Sequence, residues 1–380
     1  VKRGSSSFST FHATPLMVSE VHPGGCSAPE RSRRAFTCVA AGHAQSIQVP
    51  HDEVEDRPKT VLKLVDETEL EVFSLVATEY MTDPIRQFIP SFHGVDCDCD
   101  ENGATLRFIR IGNLLHDFYE PKVMDVKLGC RTHLESECQS SKPRPDLFER
   151  MNHLYPGELT AAEREAKFIT KHRWMTARDT HSTIRKLGFR VDGVAGYRPG
   201  HEVSVEHFAS MRTMEDTCGC FRAFAEEAAA VDQEDLYDAD GSLLLRDTPC
   251  AVAGDVRDKL MELHAAMEAS SFVARHEFIG SSLLVVADGR RVGVFWIDFA
   301  KAPECGQLTH RIPWHLGNHE DGILAGLEKM ICAWARVTEL LRTEQAEGVS
   351  AGECDRGGKN TAEQFCGCLS IWKPWTVACW

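Results

Sequence analysis

Asp125 and Lys127 stand two apart in the segment Pro121-Lys-Val-Met-Asp125-Val-Lys127-Leu-Gly129. If that segment is a strand, both side chains leave the same face, and an acid and an ammonium share one space. A second acid, Asp298, follows the apolar run Val292 to Ile297 and precedes Phe299, Ala300 and Lys301, while Gly280-Ser281-Ser282 opens the apolar run before it. A carboxylate at a strand end can hold a hard divalent cation such as Mg2+, which takes oxygen donors. Each patch alone reads more often as something plainer: a surface ion pair in the first case, a turn acid in the second. Between them, Lys167 to Arg190 carries Lys167, Lys171, Arg173, Arg178, Arg185, Lys186 and Arg190 against one acid, Asp179. Such a run is usually a solvated helix face, but it also suits a small polyanion, which an acidic protein can hold only by concentrating positive charge locally.

Several elements must position these groups. Thr60 to Val65 reads as a strand and Glu67 to about Tyr80 as a helix. Leu106 to Ile111, Lys122 to Leu128 and Gly188 to Val194 read as further strands, with a long helical stretch from about Asp146 to Thr183. Ser282 to Ala287 and Val292 to Ile297 flank Asp288-Gly289, a strong hairpin signal. A final helix is expected from about Gly322 to Arg342, with Leu324, Leu327, Ile331, Trp334 and Val337 on one face. Strands dominate early, helices dominate the middle and a hairpin precedes the last helix, so the class is α+β and not a doubly wound sheet.

The chain of 380 residues, with 43% hydrophobic and 26% charged residues, has ordinary globular composition and enough length for two or three domains. Its formal net charge of −15 argues against a general nucleic-acid binder. It holds no run of 18 apolar residues, so no transmembrane helix is expected. The 15 cysteines include no CxxC, only Cys97/Cys99, Cys218/Cys220 and Cys366/Cys368, a spacing that does not signal structural zinc. The first 40 residues lack the apolar stretch of a secretory signal, so reduced thiols in the cytoplasm, or the nucleus, are expected. The chain starts at Val1, and targeting upstream of it would not be visible. Neither a Walker A loop nor GxGxxG occurs. Residues 1–36 read as a flexible basic arm and 343–380 as a Cys- and Trp-bearing tail.

Taken in order, PxxxDxKxG, SSLL and IDFAK resemble the signature set of the inositol polyphosphate kinases. Phe88-Ile-Pro-Ser-Phe-His-Gly94, Arg131-Thr-His-Leu-Glu135, Leu187-Gly-Phe-Arg190, Leu308-Thr-His-Arg-Ile-Pro-Trp314 and Gly317-Asn-His-Glu-Asp-Gly322 extend the likeness over roughly residues 38–342 and point to its inositol 1,4,5-trisphosphate 3-kinase branch. The resemblance implies a two-lobed fold distantly like a protein kinase, with 37–111 as an N-terminal ATP-binding lobe and 112–342 as a C-terminal catalytic lobe that includes a helical inositol-binding insert at 130–187. It implies transfer of a phosphoryl group from ATP, with Mg2+, to the 3-hydroxyl of inositol 1,4,5-trisphosphate. It implies Lys63 on the nucleotide phosphates with Glu69 as its helix partner, Ser46 on the loop over the nucleotide, and Gly112, Asn113 and Leu114 at the adenine hinge. Asp298 is the implied metal ligand, with Ser282 beside the metal and phosphates. Asp125 falls in the active site, as a base or as a nucleotide contact. Lys127, Arg144, Lys171, Arg173, Arg178 and Lys301 match substrate contacts, and Met175 the residue under the ring.

The 57 residues between Gly129 and Leu187 resemble the long insert of the 3-kinases, against the shorter insert of a multikinase, the alternative reading; a scaffold that binds inositol phosphates without turnover is the non-enzyme alternative. Ala177 replaces a family Trp, Trp174 takes a Tyr place, and Ala195 replaces a Lys near the nucleotide, for which Arg198 is a candidate substitute. In animal relatives the segment matching Asp146 to Leu154 binds calmodulin. Leu147, Phe148, Met151 and Leu154 form an apolar face here, but with only Arg150 as a base within it, a core-facing helix is the favoured reading.

Overall fold

The computed structural model describes residues 47–53, 57–99, 103–230 and 248–354. Ser46, the arm 1–36 and the tail after Cys354 lie outside the described residues. Two antiparallel sheets and a set of helices make an α+β fold. The first sheet contains β1 (Ile47–Gln48), β2 (Thr60–Leu64), β3 (Phe92–Cys99) and β4 (Thr105–Gly112) in the order β1-β2-β4-β3. Helix α1 (Glu67–Thr78) starts at Asp66, whose side chain accepts from the N–H groups of Thr68 and Glu69. Its buried face carries Glu69, Val72, Phe73 and Val76, and Phe73 packs on Phe92 and Phe299. Strand β3 was not anticipated from the sequence. Its alternation is inverted: Val95, Cys97 and Cys99 are exposed, while Asp96 turns toward Arg110, 3.7 Å away.

The second sheet contains β5 (Lys122–Leu128), β6 (Phe189–Ala195), β7 (Ser282–Ala287) and β8 (Val292–Ile297) in the order β6-β5-β7-β8. The β7–β8 hairpin turns where the Asp288-Gly289 signal placed it. Asp288 Oδ1 accepts from the N–H groups of Arg290 and Arg291, and Gly289 takes φ 73°. Behind this sheet pack α7 (Val205–Ser210), α8 (Met214–Ala229), α9 (Pro249–Ala269) and α10 (Ile323–Cys354). Val252, Val256, Leu260, Leu263 and Met267 line the buried stripe of α9, which Thr248 caps. Helix α10 runs twelve residues past the expected end at Arg342, and on its face Met330 is fully buried where Ile331 is only partly so. None of the described helices is long and apolar enough to cross a membrane.

Between β5 and β6 the expected single long helix is broken into α2 (Glu135–Cys138), α3 (Pro145–Leu154), α4 (Ala161–Ala166), α5 (Lys171–Thr180) and α6 (Ile184–Leu187). The breaks are local chemistry. Pro156 follows α3, Thr160 and Glu163 form a capping box, Lys167 ends α4 at φ 58°, and Thr170 caps α5. Leu147, Phe148, Met151, Leu159, Ile169, Trp174 and Ala177 pack into a core of their own, apart from the main one. The Trp-for-Tyr and Ala-for-Trp departures therefore both fall in this small core. Trp174, 6% exposed, also lies under the Arg150 guanidinium. Trp174→Ala is expected to destabilise the insert by about 3 kcal/mol, seen as earlier loss of amide-exchange protection over α3–α5 than over β5–β8. Equal protection in variant and wild type would contradict it.

The insert leaves and rejoins the sheet at one place. The Gly129 N–H donates to Gly188 O at 2.8 Å. Gly188 in turn lies against α10 so closely that a Cβ on Gly326 would sit 2.1 Å from Gly188 O, so neither position tolerates a side chain.

Candidate active site

Lys63 on the interior strand β2 reaches two carboxylates: Nζ lies 2.8 Å from Glu69 Oε1 and 2.9 Å from Asp298 Oδ1. The cap at Asp66 sets the register of α1 that delivers Glu69, which is 1% exposed and also accepts the Phe299 N–H. Burial works against the Lys63 charge, but Asp298 and Glu69 outweigh it and raise its pKa above the ordinary lysine value. Asp298 follows β8 in the left-handed region, φ 68°, where a non-glycine residue is strained. Its other oxygen lies 3.6 Å from Lys127 Nζ, so one carboxylate joins a lysine of each sheet. Burial opposes the Asp298 charge, yet Lys63 and Lys127 hold its pKa below the usual range.

Asp125 and Lys127 share a face of β5, and Lys127 pairs in register with Ser282 of β7. Lys127 also donates to Gly280 O at 2.8 Å. The β5–β6 register shifts between Asp125 and Val126, which brings Asp192 in as an extra acid. Asp125 is 5% exposed. Burial pushes its pKa up to about 6, Lys127 opposes this, and Asp192 and Asp298 add to the rise. The Ser281 hydroxyl is buried with no hydrogen-bond partner among the described residues, and the Asp125 carboxylate and the Ser282 hydroxyl, which face one another, leave Asp125 Oδ1 without a well-formed one. Unpaired buried acceptors beside Asp298 are the donor set a divalent cation and phosphate groups require.

Beside this constellation lies a cavity of about 310 Å³, lined among others by Lys127, Thr132, Met175, Arg178, Arg190, Asp298 and Lys301. Lys301 and Lys171 grip the two oxygens of Glu137 at 2.8 and 2.6 Å. Burial would raise the Glu137 pKa, but the two lysines hold it down at about 2. Arg178 lies 3.4 Å and Arg190 2.6 Å from Asp192.

Of the residues expected to act, Lys63, Glu69, Asp125, Lys127, Ser282 and Asp298 come together, and Met175, Arg178 and Lys301 line the adjoining cavity. Lys171 reaches the cavity through Glu137. Arg144 and Arg173 do not line it. Arg144 holds Asp146 (2.7 Å), and Arg173 holds Glu163 (2.9 Å), inside the insert. Arg198, offered as a substitute for the missing lysine at Ala195, is instead clamped on Glu227 of α8 through Nε at 2.9 Å. At the end of β4 the Gly112 and Asn113 N–H groups donate to Ser91 O and Lys59 O, and the Leu115 N–H donates to the Asn113 side chain, so this turn is braced from within. The reading of the sequence missed Glu137, Arg190 and Asp192 as site residues. Arg190 and Asp192 repeat on β6 the two-apart spacing of Asp125 and Lys127 and could have been found by it; Glu137 sits on a four-residue helix with no periodic signal.

A Lys–Glu pair coupled to a strand-end carboxylate, set against a basic cavity, is the layout of a phosphoryl-transfer centre. Residues 108–335 match the family model described as inositol polyphosphate kinase, and the chain belongs to that family. It is 35% identical over 264 residues to inositol-trisphosphate 3-kinase C of Homo sapiens, covering 67% of this chain and 34% of that protein. It is 35% identical over 230 residues to the inositol-trisphosphate 3-kinase homolog of Caenorhabditis elegans, covering 59% of this chain and 42% of that one. Among solved structures, the inositol phosphate multikinase of S. cerevisiae in complex with ADP and Mn2+ aligns with a TM-score of 0.45 and 16% identity over 73% of this chain and 98% of that one. The chain thus spans about a third of the length of the human relative.

Proposed function

We propose that this chain transfers the γ-phosphoryl group of ATP to the 3-hydroxyl of inositol 1,4,5-trisphosphate, giving the 1,3,4,5-tetrakisphosphate. The observation that carries this reading is the position of Asp298, bonded to Lys63 on one side and facing Lys127 and the basic cavity on the other. Lys63 binds donor phosphates, with Glu69 holding it in place. Asp298, with Ser282 nearby, would hold Mg2+, which when bound neutralises charge on the transferring group. Lys127, Arg178, Arg190 and Lys301 supply the positive wall for the substrate phosphates, and Arg forks suit them bidentately. Asp125, with its pKa of about 6, is matched to accept a hydroxyl proton near neutral pH. Glu137 occupies Lys171 and Lys301 until a phosphate, which carries more charge, replaces it.

Ion-exchange separation of the products formed from ATP, Mg2+ and inositol 1,4,5-trisphosphate tests the reading. A single tetrakisphosphate is the expected result; a ladder to pentakisphosphate would make the chain a multikinase, and binding without product a scaffold. Calmodulin is not part of the proposal, because Leu147, Phe148 and Met151 are buried in the insert core and would have to leave it to enter a calmodulin groove. Sizing chromatography with calmodulin and calcium is expected to show no complex; a calcium-dependent one would mean that this core opens.

A further inference from the structure

We propose that His133, Cys138 and His172 form a binding site for one zinc ion, outside the phosphoryl-transfer centre. The three side chains come from separate elements: His133 from the loop after β5, Cys138 from the end of α2, and His172 from the first turn of α5. One ligand atom from each lies within 4.8 Å of the others. Around a tetrahedral zinc such atoms sit about 3.3–3.6 Å apart, so an adjustment of about an ångström at the side chains closes the set.

His133 is the independent observation that a ligand is missing. It is 3% exposed, and neither ring nitrogen has a hydrogen-bond partner among the described residues. A buried imidazole with both nitrogens unsatisfied is unfavourable, and coordination at one of them removes most of the deficit. Asp179 Oδ2 lies 3.9 Å from His133 Nδ1 and is itself fixed by the Thr132 N–H and hydroxyl. A carboxylate on the Nδ1 side favours a proton there and leaves the Nε2 lone pair for the ion, the usual support for a metal-bound histidine. Cys138 and His172 are half-buried, so a fourth position is open to water.

Two imidazoles and a thiolate select zinc over magnesium or calcium, which take oxygen. The other cluster of this kind, Glu277, Cys305 and His319, differs. Its carboxylate already accepts from Arg131 at 2.7 Å and faces His319 at 3.3 Å, so it holds no buried side chain waiting for a partner. Zinc at His133, Cys138 and His172 would tie the loop bearing Thr132 and Glu137 to the helix bearing Lys171, Met175 and Arg178. The wall of the basic cavity would then be fixed by a metal clip.

The test uses the full chain, reduced and stripped of metal, titrated with Co2+ and then Zn2+. One Co2+ per chain is expected, with a thiolate charge-transfer band and the intense visible bands of a tetrahedral ion, both erased by Zn2+. Cys138→Ser should remove the thiolate band, His172→Ala should weaken binding at least about tenfold, and Cys305→Ser should change neither. Alkylation mapped by mass spectrometry on the wild type needs no variant to fold: Zn2+ should protect Cys138 and leave Cys305 reactive. Absence of the thiolate band in the wild type, its survival in Cys138→Ser, its loss in Cys305→Ser, unchanged affinity in His172→Ala, or unprotected Cys138 would each overturn the proposal.

Discussion

Asp298→Asn is expected to lower turnover by about 10³-fold or more while inositol phosphate binding stays within a few-fold of wild type. The substitution keeps the shape of the side chain and removes the charge that would hold the cation. Lys63 keeps Glu69 at 2.8 Å, and Lys127 keeps the Gly280 carbonyl at 2.8 Å, so neither ammonium is left without a partner. Lys127 also loses its carboxylate neighbour at 3.6 Å, which leaves more of its charge for a substrate phosphate. Calorimetric titration with inositol 1,4,5-trisphosphate beside a turnover assay separates the two effects. Equal loss of binding and turnover would mean that Asp298 organises the cavity and does not serve the phosphoryl group.

Asp125→Asn is expected to do two opposite things: abolish most turnover and stabilise the fold at pH 7. The folded-state pKa of Asp125 is about 6 against an ordinary value of 3.8. Between those values the folded state binds more protons than the unfolded chain, so this residue's contribution to stability falls as pH rises through the window. Above it the wild type carries the full penalty of a buried carboxylate facing Asp192 and Asp298, only partly relieved by Lys127. A shift of this size corresponds to about 3 kcal/mol. Thermal unfolding without nucleotide or metal should show the variant above the wild type at pH 7 and the difference vanishing below pH 4. A variant that is less stable at pH 7 would show that the Asp125 charge is needed by Lys127 for folding.

These two acids were legible in the sequence to different degrees. The face shared by Asp125 and Lys127 follows from strand alternation, and the hairpin before Asp298 follows from its Asp-Gly turn. The meeting of Lys63 with Asp298 is a contact over 235 positions that periodicity does not encode; the order of motifs, read by resemblance, supplied it. Elsewhere local patterns misled for identifiable reasons. Strand β3 hides because beyond Phe92 its acids, not Val95, Cys97 and Cys99, face inward. The insert reads as one helix because the breaks at Lys167 and Thr170 carry no proline or glycine, although Pro156-Gly157 did mark the break after α3. Arg173 and Arg198 look free in the sequence, but each meets a carboxylate that only the fold brings near, whereas the partner of Arg144, Asp146, stands two residues on and was there to be read. Helices α8 and α9 did carry signals, Thr213 ahead of Asp216 and Thr248 ahead of Pro249, which the reading did not use.

The hydrogen bond from Gly129 to Gly188 brings together the two ends of a segment of nearly sixty residues, so the loop that the segment forms is closed at its base. A segment closed in this way, with a core of its own, adds little strain to its host whatever its length, since loop closure depends only weakly on length. Its sequence can drift, lengthen or be exchanged while β5, β6 and the carboxylates they carry stay in place. Within one scaffold, the recognising part and the reacting part are thereby free to evolve at different rates, and a chimera that trades this segment alone should inherit its donor's choice of acceptor.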